Sequence, residues 1–267
     1  MANAAPWRDE PLKLLPTPAY QTKKTDMWTE GASHMCNVHN ALFRGFNSIY
    51  QQAPNVVDQD KAAFIGYCQT WVKFLHSHTE HEETGMFVMA EELLQEKVFA
   101  DMHEGHEAIL GPLRDMETYL TSVTATPLAL SAQRLLAILD ALHGPLESHF
   151  NDEVARIASL AAHPGSPAAG SAEERAAVAW FEKWGQKSLM EPGVADVLVF
   201  FLLNMDRAHE DGRWRDWPPM PAPVRWAMVN IAGQWHRSWW KFASCDATGQ
   251  RRELYAQATL SGKAKSI

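Results

Sequence analysis

Two histidine–glutamate pairs with the same spacing are the residues of this sequence best suited to chemistry. The stretch FLHSHTEHEETGMF contains His78 and Glu82, and the stretch PLESHFNDEVARI contains His149 and Glu153. Residues four apart lie on one face of an α-helix, so each pair presents an imidazole nitrogen and a carboxylate oxygen to one point. Iron, manganese and zinc accept these donors. Two such pairs that face each other inside a helical bundle would form a dinuclear metal site.

A plainer interpretation of each pair is open as well. An isolated H-x-x-x-E is often an exposed pair on a helix surface, because histidine and glutamate are ordinary surface residues. A rival pair with this spacing, His143 and Glu147, lies around Pro145 on a different face of the same predicted helix. The presence of two copies, each on an apolar helix, favours the metal interpretation of His78/Glu82 and His149/Glu153.

Other polar residues near these stretches have several possible roles. His39 lies beside an apolar stripe, where it is either a ligand or a core histidine. His81 is interpreted as a neighbour that supports the ligands or lies at the rim, and Glu83 as a cap or a charge partner. His34 is predicted to be on the surface. The cluster MDRAHEDG, with Asp206, His209, Glu210 and Asp211, is interpreted as a solvated helix end or a separate site.

Composition limits the class of protein. The 267 residues are 46% apolar, which allows one large domain or a domain with an extension. A net charge of −8 without a Lys/Arg run disfavours nucleic-acid binding. The apolar run VADVLVFFLL is shorter than the ~20 residues that span a bilayer, and no signal peptide is recognisable, so we expect no membrane partner. The 3 scattered cysteines favour a reducing compartment, and we expect a cytoplasmic protein.

Helical periodicity accounts for most of the chain, and no stretch alternates convincingly as a strand would. Four helices are predicted in the first part, the second ending near Thr84–Gly85 and the fourth kinked or split by Pro145. Their predicted bounds are 28–52, 57–84, 98–120 and 130–160. Three further helices are predicted over 173–187, 192–210 and 221–243. The predicted class is therefore all-α.

Composition shifts divide the chain into four predicted parts. A proline-rich arm, with Trp7, Leu14 and Leu15 able to strap it over the body, comes first, and AAHPGSPAAGSA is the clearest linker. The parts are an arm over 1–27, a bundle over 28–160, a linker over 161–172 and a tryptophan-rich helical extension over 173–267. The tryptophans of the extension either fill its core or wall off a substrate pocket above the metals.

The order of these motifs resembles a known family. His39 in VHNALFRGFNSIY, His78 and Glu82 in H-x-x-x-E-E, His106 in GHEAI and the final H-x-x-x-E resemble the hemerythrin-like HHE cation-binding domain over residues 28–160. The tail sequence WWKFASCD is similar to that of the larger hemerythrin-like proteins of fungi.

This resemblance implies the fold, the cofactor and the ligands. The fold would be an antiparallel four-helix bundle with an additional C-terminal layer, and the cofactor would be two iron ions, or manganese or zinc, joined by an oxo or hydroxo bridge. Glu82 and Glu153 would be the bridging carboxylates. Carried over position by position, the ligands would be His39, His78, Glu82, His106, His149 and Glu153.

The sequence departs from the oxygen carrier of the family at two places. The carrier has two histidines four apart on its third helix, whereas Met102 and Leu110 flank His106 at that spacing here. His103, three residues away, is about 60° off around the helix and could substitute only imperfectly. The carrier's last carboxylate is an aspartate five residues after its histidine, whereas Glu153 comes four after.

These departures favour an enzyme over a carrier. One ligand fewer leaves more room for O₂ and substrate, and the extra layer would serve as a lid. We therefore predict a non-haem di-iron oxidoreductase that activates O₂ and oxidises a small organic molecule. The alternatives are a non-catalytic protein that binds O₂ or stores or senses iron, and a helical interaction protein with a structural or degenerate site.

Overall fold

The computed structural model describes residues 9–260, and within them it confirms the all-α class. The described part contains no β-strand, only an isolated bridge between Cys245 and Arg251. Trp7 lies outside it. The helices are α1 (Pro18–Thr22), α2 (Met27–Gln52), α3 (Lys61–His81), α4 (Phe87–Leu94), α5 (Ala100–Thr124), α6 (Ala132–Ser159), α7 (Ala172–Met190), α8 (Val197–Asn204), α9 (His209–Gly212), α10 (Ala222–Asn230) and α11 (Tyr255–Leu260).

Four long helices form the bundle that positions the site. Helix α2 packs on α3 and α6, and α5 packs on α3 and α6, which closes the ring of four. Short connections make consecutive helices run antiparallel. The predicted apolar stripes face inward, since the residues of the α3 and α6 stripes are fully buried. These are Phe64, Cys68, Trp71 and Leu75 on α3 and Leu135, Leu139, Leu142 and Leu146 on α6.

The second predicted helix continues where we expected it to end. Residues Glu82–Met86 form a π-helical turn, which joins α3 directly to α4. The stretch around Thr84–Gly85 is therefore a widened turn, and the expected break there was wrong. Pro145 also lies inside a continuous helix, because α6 runs without interruption from Ala132 to Ser159.

The N-terminal arm is fixed along α2 by buried amides. Asn47 accepts a hydrogen bond from the Leu12 backbone N–H at 2.9 Å and donates to its carbonyl at 2.7 Å. Asn40 does the same for Leu15, at 2.8 Å in both directions. Because the arm covers this face, α2 is buried on more sides than an amphipathic helix.

The C-terminal segment packs against the bundle, and its helices are shorter than predicted. The predicted helix over 192–210 is the fully buried α8, followed by the single irregular turn α9. The region 221–243 contains α10 and two 3-10 turns, Ala232–His236 and Trp240–Phe242. Helix α8 contacts both α2 and α3, so an apolar run buried on all sides fills the space between the two layers.

No helix within residues 9–260 has the length and apolar character needed to cross a membrane. The apolar run that sequence singled out lies in α8, which is 8 residues long and enclosed by protein.

Candidate metal centre

Six side chains from all four bundle helices meet at one buried place. The ligand atoms of His39, His78, Glu82 and Glu153 all lie within 4.8 Å of one another. His106 Nε2 lies 3.3 Å from Glu82 Oε2, and the ring centroids of His106 and His149 are 4.3 Å apart. The structure thus brings together the residues His39, His78, Glu82, His106, His149 and Glu153.

Each glutamate stands between histidines of two different helices. Glu82 places Oε1 2.9 Å from His78 Nε2 and Oε2 3.3 Å from His106 Nε2. Glu153 Oε2 lies 3.2 Å from His39 Nε2 and 3.9 Å from His149 Nε2. The cluster therefore has two sides, one with His39 and His78 and the other with His106 and His149, and both carboxylates reach both sides.

These donors have no hydrogen-bond partner of acceptable geometry among the described residues. The unpaired atoms include Nε2 of each of the four histidines and both oxygens of Glu82 and Glu153. Burial of unpaired polar atoms is unfavourable unless a ligand satisfies them. Imidazole nitrogens and carboxylate oxygens match the donor preference of iron, manganese and zinc. The residues present therefore fit a pair of such cations.

The ionisation of two of the four histidines, His149 and His39, also suits cations. Burial and the neighbouring His106 lower the pKa of His149 to about 3, so its imidazole is neutral, which is the form that binds metals. Burial lowers the pKa of His39 well below its usual value in the same way.

The negative charge of Glu82 opposes the ionisation of Glu153. Burial opposes ionisation of Glu82, but the adjacent His78 and His106 imidazoles outweigh it and lower its pKa. Burial and the charge of Glu82 raise the pKa of Glu153 well above its usual value. A cation between the two carboxylates would remove this repulsion and favour the ionised form of both.

Glu83 is a charge partner of His103 and His106, one of the two roles expected for it, and it orients the His106 ring as well. Its Oε1 lies 2.6 Å from His106 Nδ1, and its Oε2 contacts His103. An Nδ1–H that donates to Glu83 leaves the His106 Nε2 lone pair facing Glu82. The H-x-x-x-E-E motif is the only feature of the sequence that draws attention to Glu83. Its contact with His106 joins the π turn to α5, so the spacing within one helix does not predict it.

The remaining histidines lie outside the cluster. The half-exposed His103 is bound to Glu83, away from the central donors. His81 interacts with the Ser77 carbonyl and Glu191 at the rim. His143 packs near Phe46, with ring centroids 6.3 Å apart. The expected surface position of His34 was wrong, because it is half-buried against Trp217.

The MDRAHEDG cluster has a structural role rather than being a freely solvated helix end. Glu210 accepts hydrogen bonds from the Thr17 backbone N–H at 2.7 Å and from Trp214 Nε1 at 2.8 Å. Asp206 Oδ2 lies 3.8 Å from Arg44 Nη2 and 2.6 Å from Arg251 Nε. These contacts join the arm and the C-terminal segment to the bundle.

A glycine provides the space for His149. A Cβ at Gly105 would collide with the His149 ring across the α5–α6 contact. Only a glycine fits at this point of α5 while the ring keeps its position. The GHEAI motif contains this residue, but sequence alone does not indicate which partner it accommodates.

A cleft leads from the protein surface to the cluster. Its volume is about 740 Å³, and His78 lies in its wall together with the buried Phe74, Met86 and Ile157. Helix α7 and the segment 213–219 form the opposite part of its lining, so the C-terminal segment completes the cleft. This position next to a ligand candidate gives a substrate a route to the centre.

Comparison with known proteins gives a family match and a full-length relative. The model of the hemerythrin HHE cation-binding domain matches residues 31–161. The dimeric xanthone biosynthesis cluster protein R11 of Cryptosporiopsis sp. (strain 8999) is 28% identical over 254 residues, which cover 93% of this chain and 92% of that protein. No solved structure matches.

Proposed function

We propose that this protein, whose residues 31–161 match the model of the hemerythrin HHE cation-binding domain, is a non-haem di-iron oxidoreductase that uses O₂ to oxidise an organic molecule. The observation that carries the proposal is the set of buried, unpaired His and Glu donors beside an open cleft. A pair of iron ions held by such donors supplies redox chemistry with O₂ when coordination positions remain open.

The proposed ligand set would leave such positions open. Four imidazoles and two carboxylates would be fewer donors than two six-coordinate ions accept, even if both carboxylates and an oxo or hydroxo group were shared between the ions. Glu82 and Glu153 hold the two sides together, since each reaches histidines on both. The same donors also accept manganese and zinc. The identification of iron as the metal bound in the cell is therefore part of the proposal.

The surroundings of the cluster orient the ligands and exclude water. The Phe150 ring stacks on His39 with centroids 3.7 Å apart, and Phe87 stacks on His106 at 5.6 Å. These rings hold the imidazole planes and cover them with apolar surface. Apolar surface over these two imidazoles shields them from solvent and strengthens the interaction between nearby charges.

The substrate would approach through the cleft, where His78 meets the lining. The name of the relative places it in a dimeric xanthone biosynthesis cluster, and this supports a role for the present chain in the biosynthesis of an organic compound. We also propose a cytoplasmic location, since Cys36, Cys68 and Cys245 form no disulfide, as is usual for proteins of a reducing compartment.

An oxygen-electrode measurement tests this function. Iron-loaded protein is mixed with a reductant and candidate organic substrates, and O₂ uptake is recorded together with product formation. We expect substrate-dependent O₂ consumption that His149→Ala abolishes. Reversible O₂ uptake without net consumption of reductant or substrate would instead show the non-catalytic alternative, an O₂-binding protein.

A further inference from the structure

We propose that the cleft beside the cluster binds a neutral, planar molecule of several fused aromatic rings. This names the substrate class of the proposed oxidoreductase and rests on that function. The cleft has room for such a molecule, because about 740 Å³ falls within the ~300–1,000 Å³ of typical small-molecule sites.

Flat rings held by other contacts form much of the lining. Trp28 meets Phe181 edge to face with centroids 6.0 Å apart, and its Nε1 donates to Ser166 at 3.0 Å. His34 stacks on Trp217 with centroids 5.3 Å apart. Rings fixed in this way lose little conformational freedom when an aromatic ligand stacks on them. The lining therefore favours flat molecules over flexible chains, which would lose rotational freedom on binding.

Charges in the lining disfavour an acid. Glu30, Glu174, Glu182 and Asp216 belong to the lining, and Arg213 supplies its only Lys or Arg among the described residues. Arg213 is already paired with Glu30, at 3.1 Å. Asp216 is paired in the same way with Arg207, at 3.3 Å. A ligand carboxylate would therefore face the carboxylates of Glu174 and Glu182 without a free cationic partner in the lining.

His34 provides a polar contact for the ligand. Its ring nitrogens form no hydrogen bond with any residue between 9 and 260, although the ring is half-buried. Burial also lowers the pKa of His34 to about 4, so the imidazole is neutral at neutral pH. A neutral imidazole both donates and accepts, which suits the carbonyl or phenol oxygens of an aromatic ketone.

Binding of acridone, a fluorescent neutral tricyclic ketone, tests the proposal without any turnover. Acridone is titrated into zinc-loaded protein, which cannot carry out redox chemistry, and into iron-loaded protein kept free of O₂. We expect saturable binding in both. Acridone carboxylic acid should bind about tenfold more weakly, equivalent to about 1.4 kcal/mol. Tetradecanol, a neutral flexible chain, should not displace acridone.

Gly31→Phe is the blocking variant. Gly31 lines the cleft on α2, and a Cβ there meets no atom within 4 Å, so the new ring has space to enter the cleft. We expect it to weaken acridone binding by at least about tenfold. Gly111→Phe on α5 is the matched control, since it also meets no atom within 4 Å and lies outside the lining. His34→Phe keeps a flat ring and should weaken binding about threefold to tenfold by removing the polar contact.

The outcomes separate this proposal from the proposed function. Equal acridone affinity in Gly31→Phe and the wild type, or tighter binding of tetradecanol or of the acid, would overturn the aromatic cleft. If Gly31→Phe oxidises a substrate at the wild-type rate, the function stands and the cleft proposal is wrong. If acridone binding is weakened by Gly31→Phe but the wild-type protein never consumes O₂, the proposed ligand class of the cleft is supported and the proposed oxidoreductase function is wrong.

Discussion

Each buried glutamate of the centre serves two histidines from different helices, and this sharing is the basis of the proposed dinuclear site. The i,i+4 spacing places one histidine beside each glutamate, and the packing of the bundle adds the second. A residue that controls one of these histidines should therefore control metal affinity.

Glu83→Ala should weaken metal binding about 10–100-fold, because the carboxylate that fixes the His106 ring is lost. A chelator competition titration with zinc measures the change. Glu80→Ala is the control, since Glu80 is exposed one turn earlier in the chain. Equal affinities of the two variants would show that Glu83 does not position His106.

Gly105→Ala should lower the metal content, because the added methyl group displaces the His149 ring. Gly111→Ala on the same helix meets no atom within 4 Å and should stabilise the protein by up to about 1 kcal/mol. Elemental analysis and thermal unfolding of both variants check this pair. Full metal content in Gly105→Ala would contradict the tight fit.

At the residue scale, spacing predicted the two His/Glu pairs, whereas His39 and His106 were assigned through the family resemblance. His39 and His106 lack a partner four residues away on their own helices, so periodicity gives no second donor for them. Glu83 and Gly105 act through contacts between helices, and such contacts cannot be derived from the sequence of one helix.

The π turn at Glu82–Met86 is the element that joins the site to α4. It holds Glu82 and Glu83, and it sets the rotation of α4, whose Phe87 stacks on His106. Such turns are frequent at functional sites and arise where a helix accommodates an additional residue. Apolar periodicity predicted a break here, because Thr84–Gly85 resembles a helix end and a widened turn has no distinct pattern.

Insertion of an alanine after Thr84 should destabilise the protein and lower its metal content. A second additional residue rotates the helix beyond it by about 100°, which moves Phe87 and Leu94 out of the core. Thr84→Ala keeps the chain length at this exposed position and should behave as the wild type. Thermal unfolding followed by circular dichroism distinguishes them, and an unchanged melting temperature on insertion would contradict the role of the turn.

At the scale of the whole molecule, the C-terminal segment completes both the core and the cleft. Helix α8 is buried between the layers, and α7 and the segment 213–219 line the cleft. Composition predicted a tryptophan-rich extension. The position of α8 within it could not be predicted, because the run VLVFFLLN is apolar around the whole helix and shows no periodicity that identifies an inward face. The division into an arm, bundle, linker and extension stays a prediction.

Gly45→Ala should lower the free energy of unfolding by about 1–3 kcal/mol. Its Cβ would lie 2.5 Å from the Phe200 ring and 2.7 Å from Trp71, where α8 meets α2 and α3. Gly144→Ala on α6 has no atom within 4 Å and is the matched control. Urea unfolding should remain one cooperative transition, and equal midpoints for the two variants would indicate that α8 packs loosely.

The number of iron ions bound per chain tests the proposed dinuclear centre. Protein loaded with iron under anaerobic conditions and freed of excess metal is measured by elemental analysis, beside Glu82→Ala and His149→Ala. The shared carboxylates predict close to two ions per chain in the wild type and a clear loss in both variants. Less than about half an ion per wild-type chain, or full occupancy in the variants, would contradict a dinuclear centre held by these residues.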